Sequence, residues 1–244
     1  MTADEICLAA YPAAEWSRVA DESDLLASLF GQPAQSLVRL GDGELNLLRR
    51  DDAIARELRR AIHATGVLGL PEHFDHRLHS WRTALRGELA KSGFRETHVI
   101  SSILPLFRPS VIARIARGRR VLWITHNASV IVRRLNDPAF CHFYGFEEGR
   151  NDLALDVGRG RTLPDTPDTL ATVRQTCTAI EAHDFDLAVV GMGAAGKMLV
   201  CHISQEMKRP ALDAGCILSA MRGDWGDRLV FQRELKALVW MTTL

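Results

Sequence analysis

Two carboxylates and two glycines stand together near the start of the chain, in Gly41-Asp42-Gly43-Glu44. Carboxylate oxygens suit Mg²⁺ or Mn²⁺, which also leave coordination positions for phosphate oxygens and water. If the segment is extended, both side chains point the same way and can share one cation. The glycines allow a ligand to approach the backbone closely, and the preceding Arg39 could pair with a phosphate through its planar guanidinium.

The same residues also suit a purely structural role. Asp42 could be the N-cap of a helix, and Glu44 would then lie in the first turn, where the helix dipole favours an anion. Residue chemistry alone does not separate the metal site from the capped helix.

A second candidate is the glycine-rich segment from Gly191 to Lys197, whose glycines (Gly191, Gly193 and Gly196) match G-x-G-x-x-G. The segment follows an apolar strand pattern and opens a helical one, and Asp213 follows at the end of the next predicted strand. This is the context of a dinucleotide fingerprint, because free N–H groups at a helix N-terminus bind an anion. Lys197 would add a positive charge. The alternative is a tight turn whose small residues serve packing.

A third candidate is Thr125-His126-Asn127, which places a hydroxyl, an imidazole and an amide directly after a buried strand pattern. These groups could contact a ribose, a phosphate or a sugar. Alternatively, Asn127 or Ser129 merely caps the next helix. His73, His76 and His79 recur at three-residue spacing, which favours a solvated helix face over a metal site.

These segments need a scaffold, and the periodicity supplies one. Strands are predicted at 36–40, 66–70, 97–103, 120–125, 185–190 and 210–213. Helices are predicted at 24–30, 45–64 with an interruption near residue 51, 76–90, 109–117, 129–135, 169–182 and 194–208. Residues 136–166 read as irregular, and 231–240 as either helix or strand. We expect an N-terminal helical segment, 1–35, followed by a single α/β domain, 36–244.

The alternation predicts a Rossmann-like α/β fold, with a mostly parallel sheet and helices on both faces. Ligands bind beyond the carboxyl ends of such strands, which is where Leu40, Thr125, Val190 and Asp213 stand.

Composition excludes several classes of protein. Lys plus Arg and Asp plus Glu number 30 each, so the chain lacks the basic excess of a nucleic-acid binder. The five cysteines are scattered, without a C-x-x-C spacing, which argues against disulfides and zinc and fits a reducing cytoplasm. No signal peptide or transmembrane segment is expected, although peripheral membrane contact and a homo-oligomer stay open.

The segment Arg39-Leu40-Gly41-Asp42-Gly43-Glu44 resembles the R-x-G-D-G-E signature of the GT-D fold glycosyltransferases, once known only as a domain of unknown function. The stretch from Leu187 to Gly215 is similar to the same family. There a strand, a small-residue turn ending in Lys, a helix and a closing D-I-G follow in order, and Asp213-Ala214-Gly215 matches the close.

The resemblance implies a metal-dependent transferase of the hexosyltransferase type. It implies a nucleotide-diphosphate sugar donor, first of all a UDP-sugar, and a glycan or other hydroxyl acceptor. Mn²⁺ or Mg²⁺ would be held by Asp42 and Glu44. The general base stays open among Glu44, His126 and Asp213. The alternatives are an NAD(P)-dependent oxidoreductase that uses the glycine fingerprint and a non-catalytic nucleotide-binding module.

Overall fold

The computed structural model describes residues 2–5, 16–50, 52–70, 76–91, 93–94, 98–101, 108–158, 169–215 and 217–223, with the side chains of 16–19, 42, 76–81 and 101 excepted. Seven strands form one sheet: β1 (Ser36–Arg39), β2 (Val67–Leu70), β3 (Val99–Ser101), β4 (Val121–Thr125), β5 (Leu153–Asp156), β6 (Leu187–Gly191) and β7 (Ala211–Asp213). Their order is β3-β2-β1-β7-β6-β4-β5, and every pair is parallel.

Ten helices surround the sheet in the described part of the chain. They are α1 (Trp16–Leu29), α2 (Asp42–Leu48), α3 (Ala53–Ala64), α4 (His76–Lys91), α5 (Ser110–Ala116), α6 (Ala128–Arg134), α7 (Pro138–Tyr144), α8 (Thr169–Glu181), α9 (Gly193–Gln205) and α10 (Ile217–Arg222).

Both faces of the sheet are buried. Successive strand residues point to opposite faces, so Leu37 belongs to one apolar cluster and Val38 to the other. The first face packs against α5, α6, α7 and α10, together with Leu26 of α1. The second face packs against α2, α3, α4, α8 and α9. The prediction of a parallel α/β fold with helices on both faces is therefore confirmed.

One prediction about local structure is wrong, and one pair of alternatives is decided. Residues 136–166 are not irregular throughout, because they contain α7 and β5. Asp137 caps α7 by accepting from the Ala139 N–H at 2.9 Å, and Pro138 is the first helical residue, a start signal that the prediction missed. Of the two alternatives for residues 41–44, the helix start is the one observed: α2 begins at Asp42 and Glu44 lies in its first turn, although the N-cap is Gly41 and not Asp42.

Other predictions concern residues that the structure does not describe, or features that it does not decide. His73 and 231–240 are not described, nor are the side chains of His76 and His79. The boundary at residue 35 stays a prediction. No helix among those described is long and apolar enough to cross a membrane.

Connections that leave neighbouring strands toward opposite faces open crevices at the carboxyl edge of the sheet, and two of these frame the candidate residues. The chain leaves β1 over the second face, through α2, whereas its neighbour β7 is followed by α10 on the first face. Likewise β6 leads into α9 on the second face, and its neighbour β4 into α6 on the first. Neighbouring strands whose connections diverge leave a crevice between them. We call the β1/β7 opening the first crevice and the β6/β4 opening the second.

Candidate functional site

A buried ion-pair triad occupies the base of the first crevice. The Lys197 ammonium lies 3.0 Å from Glu44 Oε1 and 2.8 Å from Asp213 Oδ2. The side chains are 6%, 13% and 0% exposed respectively. The triad joins α9, α2 and β7, which are distant in sequence. It therefore fixes the geometry of the crevice where these elements meet.

The charge of Lys197 is maintained although the side chain is buried. Burial alone would lower the pKa of Lys197, but the attraction and hydrogen bonds of Asp213 and Glu44 outweigh it and raise that pKa. An ammonium held between two carboxylates is not available as a phosphate ligand in this arrangement.

Glu44 is engaged through both carboxylate oxygens. Oε1 contacts Lys197, and Oε2 accepts the Gly41 N–H at 2.9 Å, so Glu44 caps the start of α2. Both Asp42 and Glu44 belong to α2, so they do not lie in an extended segment. The condition for a shared cation, an extended segment, is not met.

The donor groups near Glu44 do not fit a divalent cation as they stand. Among the described residues, no group of three or more His, Cys, Asp or Glu side chains is placed to hold a metal ion. A cation at Glu44 would have to displace the Lys197 ammonium.

Asp213 is fully engaged at the end of β7. Its Oδ2 accepts from Lys197 and, at 3.3 Å, from the Arg39 backbone N–H, while Oδ1 accepts the Gly215 N–H at 3.1 Å. Because this carboxylate is completely buried, it has no access to a ribose or an acceptor hydroxyl.

The Arg39 guanidinium lies directly over Gly215. A Cβ at residue 215 would come 2.2 Å from Arg39 Nη2, and Gly215 has a φ of +60°. The close contact and the left-handed backbone each require glycine at this position. Arg39 Nε and Nη1 are buried, and neither has a hydrogen-bond partner among the described atoms. A buried guanidinium with unpaired N–H groups is suited to a bound anion.

Each glycine of the segment from Gly191 to Lys197 has its own structural role. A Cβ at Gly191 would meet Leu218 Cδ1 at 2.8 Å, and one at Gly196 would meet Val190 Cγ1 at 3.2 Å, so both serve packing. Gly193 is exposed and has a φ of +55°. The following helix α9 has Met192 as its N-cap, without a side-chain cap bond. The first N–H groups of a helix have no partner within the helix, and such groups can bind an anion.

The second crevice contains Thr125 and an arginine that the sequence reasoning missed. Thr125 Oγ1 donates to the Gly191 carbonyl oxygen at 2.9 Å and accepts from Arg222 Nη1 at 2.7 Å. Arg222 Nη2 lies 3.1 Å from Ser219 Oγ. Recognising α10 as a helix after β7 would have placed this arginine at the strand edge.

His126 and Asn127 follow at the same edge. His126 is half-buried, while Asn127 is exposed with a φ of 54° and makes no side-chain cap bond for α6. Asp156, at the end of β5, instead accepts the Ser129 N–H at 3.0 Å. Asn127 is thus the N-cap residue of α6, as one alternative predicted, but its side chain makes no cap bond, and Ser129 lies inside the helix. Gly43 is exposed, with open space at its Cβ position.

A separate cavity lies away from the carboxyl edge. It has a volume of about 350 Å³ and lies between α3, α8 and α9, with Met198 and Cys201 among its lining residues. Its lining residues include none of the edge residues above, so it is distinct from the candidate site.

Comparison with known proteins identifies the fold. The family model of the GT-D fold-like domain matches residues 50–221. The chain is similar to a glycosyltransferase (DUF1792) from Streptococcus sanguinis, with a TM-score of 0.53 and 18% identity over 82% of this chain and 80% of that one. It is also similar to a structure of the highly conserved domain of unknown function 1792, which has a distinct glycosyltransferase fold, with a TM-score of 0.53 and 16% identity over 85% and 82% of the two chains.

The curated proteins contain no match to the sequence. The family match begins at residue 50, after the Arg39–Glu44 segment. The family assignment therefore rests on the later part of the chain and is independent of the motif that first suggested it.

Proposed function

Because the chain belongs to the GT-D fold-like family, we propose that it is a glycosyltransferase of the hexosyltransferase type. It would move a sugar from a nucleotide-diphosphate donor, first of all a UDP-sugar, to a hydroxyl of a glycan or glycosylated acceptor. The family and the fold support a transferase, and the chemistry of the carboxyl edge supports a diphosphate donor.

The observation that supports a diphosphate donor is the turn at the end of β6, where a helix N-terminus and a nearby guanidinium can bind an anion. The N-terminus of α9 has no side-chain cap, and the Arg39 guanidinium nearby has buried N–H groups without partners in the described structure. When the bond between the sugar carbon and the diphosphate oxygen breaks, negative charge grows on the leaving diphosphate. Fixed N–H dipoles and a guanidinium stabilise that charge without reorganising.

The geometry favours His126 as the general base. Asp213 is completely buried, and both oxygens of Glu44 are engaged, so neither carboxylate is free to accept a proton. The half-buried imidazole of His126 lies at the ligand edge. It would take the proton of the acceptor hydroxyl as the oxygen attacks the sugar carbon, which implies inversion of the anomeric centre.

A requirement for Mn²⁺ or Mg²⁺ is a separate proposal. It comes from the resemblance of Asp42 and Glu44 to the D-x-E pair, and the contacts of Glu44 do not favour it, so no step is derived through a metal. Activity should fall in EDTA and return with Mn²⁺. Full activity in EDTA after dialysis would rule the requirement out.

The oxidoreductase alternative is less well supported. A dinucleotide fingerprint needs an acidic side chain on the ribose, and the residue at that place, Asp213, is buried against Lys197. No described feature specifically favours a non-catalytic module.

The test is a panel of nucleotide sugars and NADH, screened by thermal shift and then assayed for transfer and donor hydrolysis. A ligand that binds only the native state raises the melting temperature. We expect a nucleotide sugar to bind and to be turned over. His126→Asn should lower kcat by roughly 10²- to 10⁴-fold with little change in donor KM. Tight NADH binding without turnover of any sugar donor would refute the proposal.

A further inference from the structure

Three polar side chains, those of Asp156, His126 and Asn127, lie together at the carboxyl ends of β4 and β5. Thr125, the last residue of β4, stands beside Asp156, the last residue of β5. His126 and Asn127 follow Thr125 directly. Asp156 Oδ1 accepts the Ser129 N–H at 3.0 Å, so the carboxylate reaches the chain just beyond these two residues. The three side chains therefore share one corner of the sheet.

All three side chains have hydrogen-bonding groups that the protein does not use. Within the described part of the chain, Asp156 Oδ2 has no hydrogen-bond partner, and neither do the side chains of His126 and Asn127. Asp156 and Asn127 are exposed, and His126 is half-buried, so a ligand can reach them. A carboxylate accepts hydrogen bonds, whereas an amide both donates and accepts them. Together they match the hydroxyl groups of a sugar.

The order of the strands separates these side chains from the diphosphate site. Across the carboxyl edge the order is β7, β6, β4 and β5. Arg39 lies over Gly215, just after β7, and α9 follows β6. Neighbouring strands are about 4.8 Å apart, so β5 lies two spacings, about 10 Å, from β6. His126, the proposed general base, follows β4 and therefore stands between the diphosphate site and Asp156.

Inverting transfer fixes the side from which the acceptor must come. The attacking hydroxyl approaches the sugar carbon from the face opposite the leaving group. With the diphosphate at β6 and the base at β4, that approach is from the β5 side. The Asp156 carboxylate suits a neutral hydroxyl there and repels an anionic diphosphate, so it also opposes binding of the donor in the reverse direction.

We propose that Asp156 and Asn127 form the acceptor subsite, in which Asp156 binds hydroxyl groups of an uncharged sugar next to His126. The inference rests on the proposed function for the direction of transfer, but binding of a sugar at this corner can be tested without turnover. The acceptor class that fits the subsite is a neutral glycan end, because a phosphate or carboxylate on the acceptor would meet the charge of Asp156.

The test measures binding of the methyl glycosides of glucose, galactose and N-acetylglucosamine by saturation-transfer NMR, in the presence of UDP. We expect at least one glycoside to bind the wild-type protein. Asp156→Asn should weaken that binding roughly tenfold, because a charge-assisted hydrogen bond becomes a neutral one. Asn127→Ala should weaken it by a factor of about 2 to 10, since one neutral hydrogen bond is lost.

Asp137→Asn is the matched control for the fold. Asp137 is likewise exposed, and its Oδ1 accepts the Ala139 N–H at the start of α7, at 2.9 Å. In both substitutions the new amide keeps an oxygen for the helix N–H, but Asp137 lies beyond the other end of α6. Asp137→Asn should therefore leave glycoside binding unchanged. Inorganic pyrophosphate, a probe of the diphosphate site at Arg39, should bind Asp156→Asn no more weakly than the wild type.

Transfer kinetics separate acceptor binding from base catalysis. In Asp156→Asn we expect the KM for the glycoside to rise about tenfold, while the KM for the nucleotide sugar stays within about twofold of the wild-type value. A fall in kcat with an unchanged glycoside KM would mean that Asp156 takes the proton, and it would refute the subsite.

Each outcome of the binding experiment decides the subsite. Glycoside affinity of Asp156→Asn within about twofold of wild type would refute it, even if the protein transfers sugar. Failure of every glycoside to bind the wild-type protein would refute it as well. If the glycosides bind and the variants behave as expected but no sugar donor is turned over, the subsite stands and the glycosyltransferase proposal fails.

Discussion

At the scale of single residues, Lys197 shows how burial changes the meaning of a motif. Next to a glycine-rich turn, a lysine suggests a phosphate ligand. In the folded chain its ammonium lies between Glu44 and Asp213 and holds α2, α9 and β7 together. Its function is to position the elements of the crevice, because its charge is already matched by two carboxylates.

Removal of this ammonium should be costly. Lys197→Met leaves two buried carboxylates without their cation, and breaking a buried pair costs about 3–5 kcal/mol of unfolding free energy. The control is Lys91→Met, whose ion pair with Glu88 has a similar length, 2.9 Å, but whose side chain is 72% exposed. Urea denaturation should show a loss below about 1 kcal/mol for the control. Equal losses for both variants would contradict the role given to the triad.

Gly215 is the second residue whose importance comes from a contact. Gly215→Ala would place a Cβ against Arg39 Nη2 and would also force a non-glycine residue to a φ of +60°. The backbone strain alone costs about 1–2 kcal/mol. We expect an additional loss of pyrophosphate affinity, because Arg39 must move.

A matched control separates these two effects. Gly118 has a φ of +65° with nothing near its Cβ position, so Gly118→Ala carries the backbone strain without a displaced arginine. It should lower stability in urea but leave pyrophosphate binding as in the wild type. If both alanine variants bind pyrophosphate equally well, Gly215 does not position Arg39.

At the scale of elements, β5 depends on a buried network at the amino end of the sheet. Asp152 accepts from the Val121 N–H at 3.1 Å, from Trp123 Nε1 at 2.9 Å and from Arg150 Nε at 2.9 Å. Both Asp152 and Arg150 side chains are almost completely buried. This network anchors an edge strand of four residues, none of which is fully buried.

Asp152→Ala should therefore destabilise the fold and spare the site. The substitution leaves Arg150 Nε and Trp123 Nε1 without their acceptor and removes the buried carboxylate paired with the guanidinium. We therefore expect a loss of about 3 kcal/mol or more in urea denaturation. Pyrophosphate affinity of the folded protein should not change, because the network lies at the opposite end of β4 from Thr125. A parallel loss of affinity would show that the two ends of β4 are coupled.

The elements that were predicted from sequence share a property that the missed ones lack. β4 and β6 are apolar throughout, and α3 alternates at helical spacing, so period and composition identify them. β5 is a half-exposed edge strand whose place is fixed by Asp152, a tertiary contact that has no local sequence signal. Helix α10 escaped prediction because six residues are too few to show a period.

Part of the candidate site was likewise predictable from the sequence, and part was not. Thr125, Gly191 and Asp213 were predictable because parallel strands end at one edge. The ion pairs of the site were not predictable. Glu44, Lys197 and Asp213 are distant in sequence and meet only after the sheet has formed. Arg222 lies between the strand predicted at 210–213 and the segment 231–240, where no element was predicted, so no rule pointed to it.

At the scale of the whole molecule, stability should fall in alkaline solution. The pKa of Lys197 is raised in the folded state, so its stabilising contribution is complete below its ordinary value of 10.5 and is lost as pH rises through the folded pKa. Burial raises the pKa of Cys177 from 9.0 to about 11. The folded state therefore holds that proton after the unfolded chain has released it, and stability falls between about pH 9 and 11.

Urea denaturation from pH 7 to 11 checks both contributions. The free energy of unfolding should decline less steeply between pH 9 and 10.5 in Cys177→Ala than in the wild type. The difference in unfolding free energy between wild type and Lys197→Met should become smaller only above pH 10.5. If that difference already became smaller near neutral pH, a group other than Lys197 would be responsible for the pH dependence.

The pairing of β1 with β7 also sets a condition on synthesis. Arg39 bonds to Asp213, 174 residues further along the chain. At a translation rate of about 5–20 residues per second, β1 waits roughly 10–35 s for its partner to leave the ribosome. During that time the first three strands present an unpaired edge at β1, the geometry that recruits foreign strands. The centre of the sheet is thus among the last places to close, and the nascent chain has most need of a chaperone before β7 emerges.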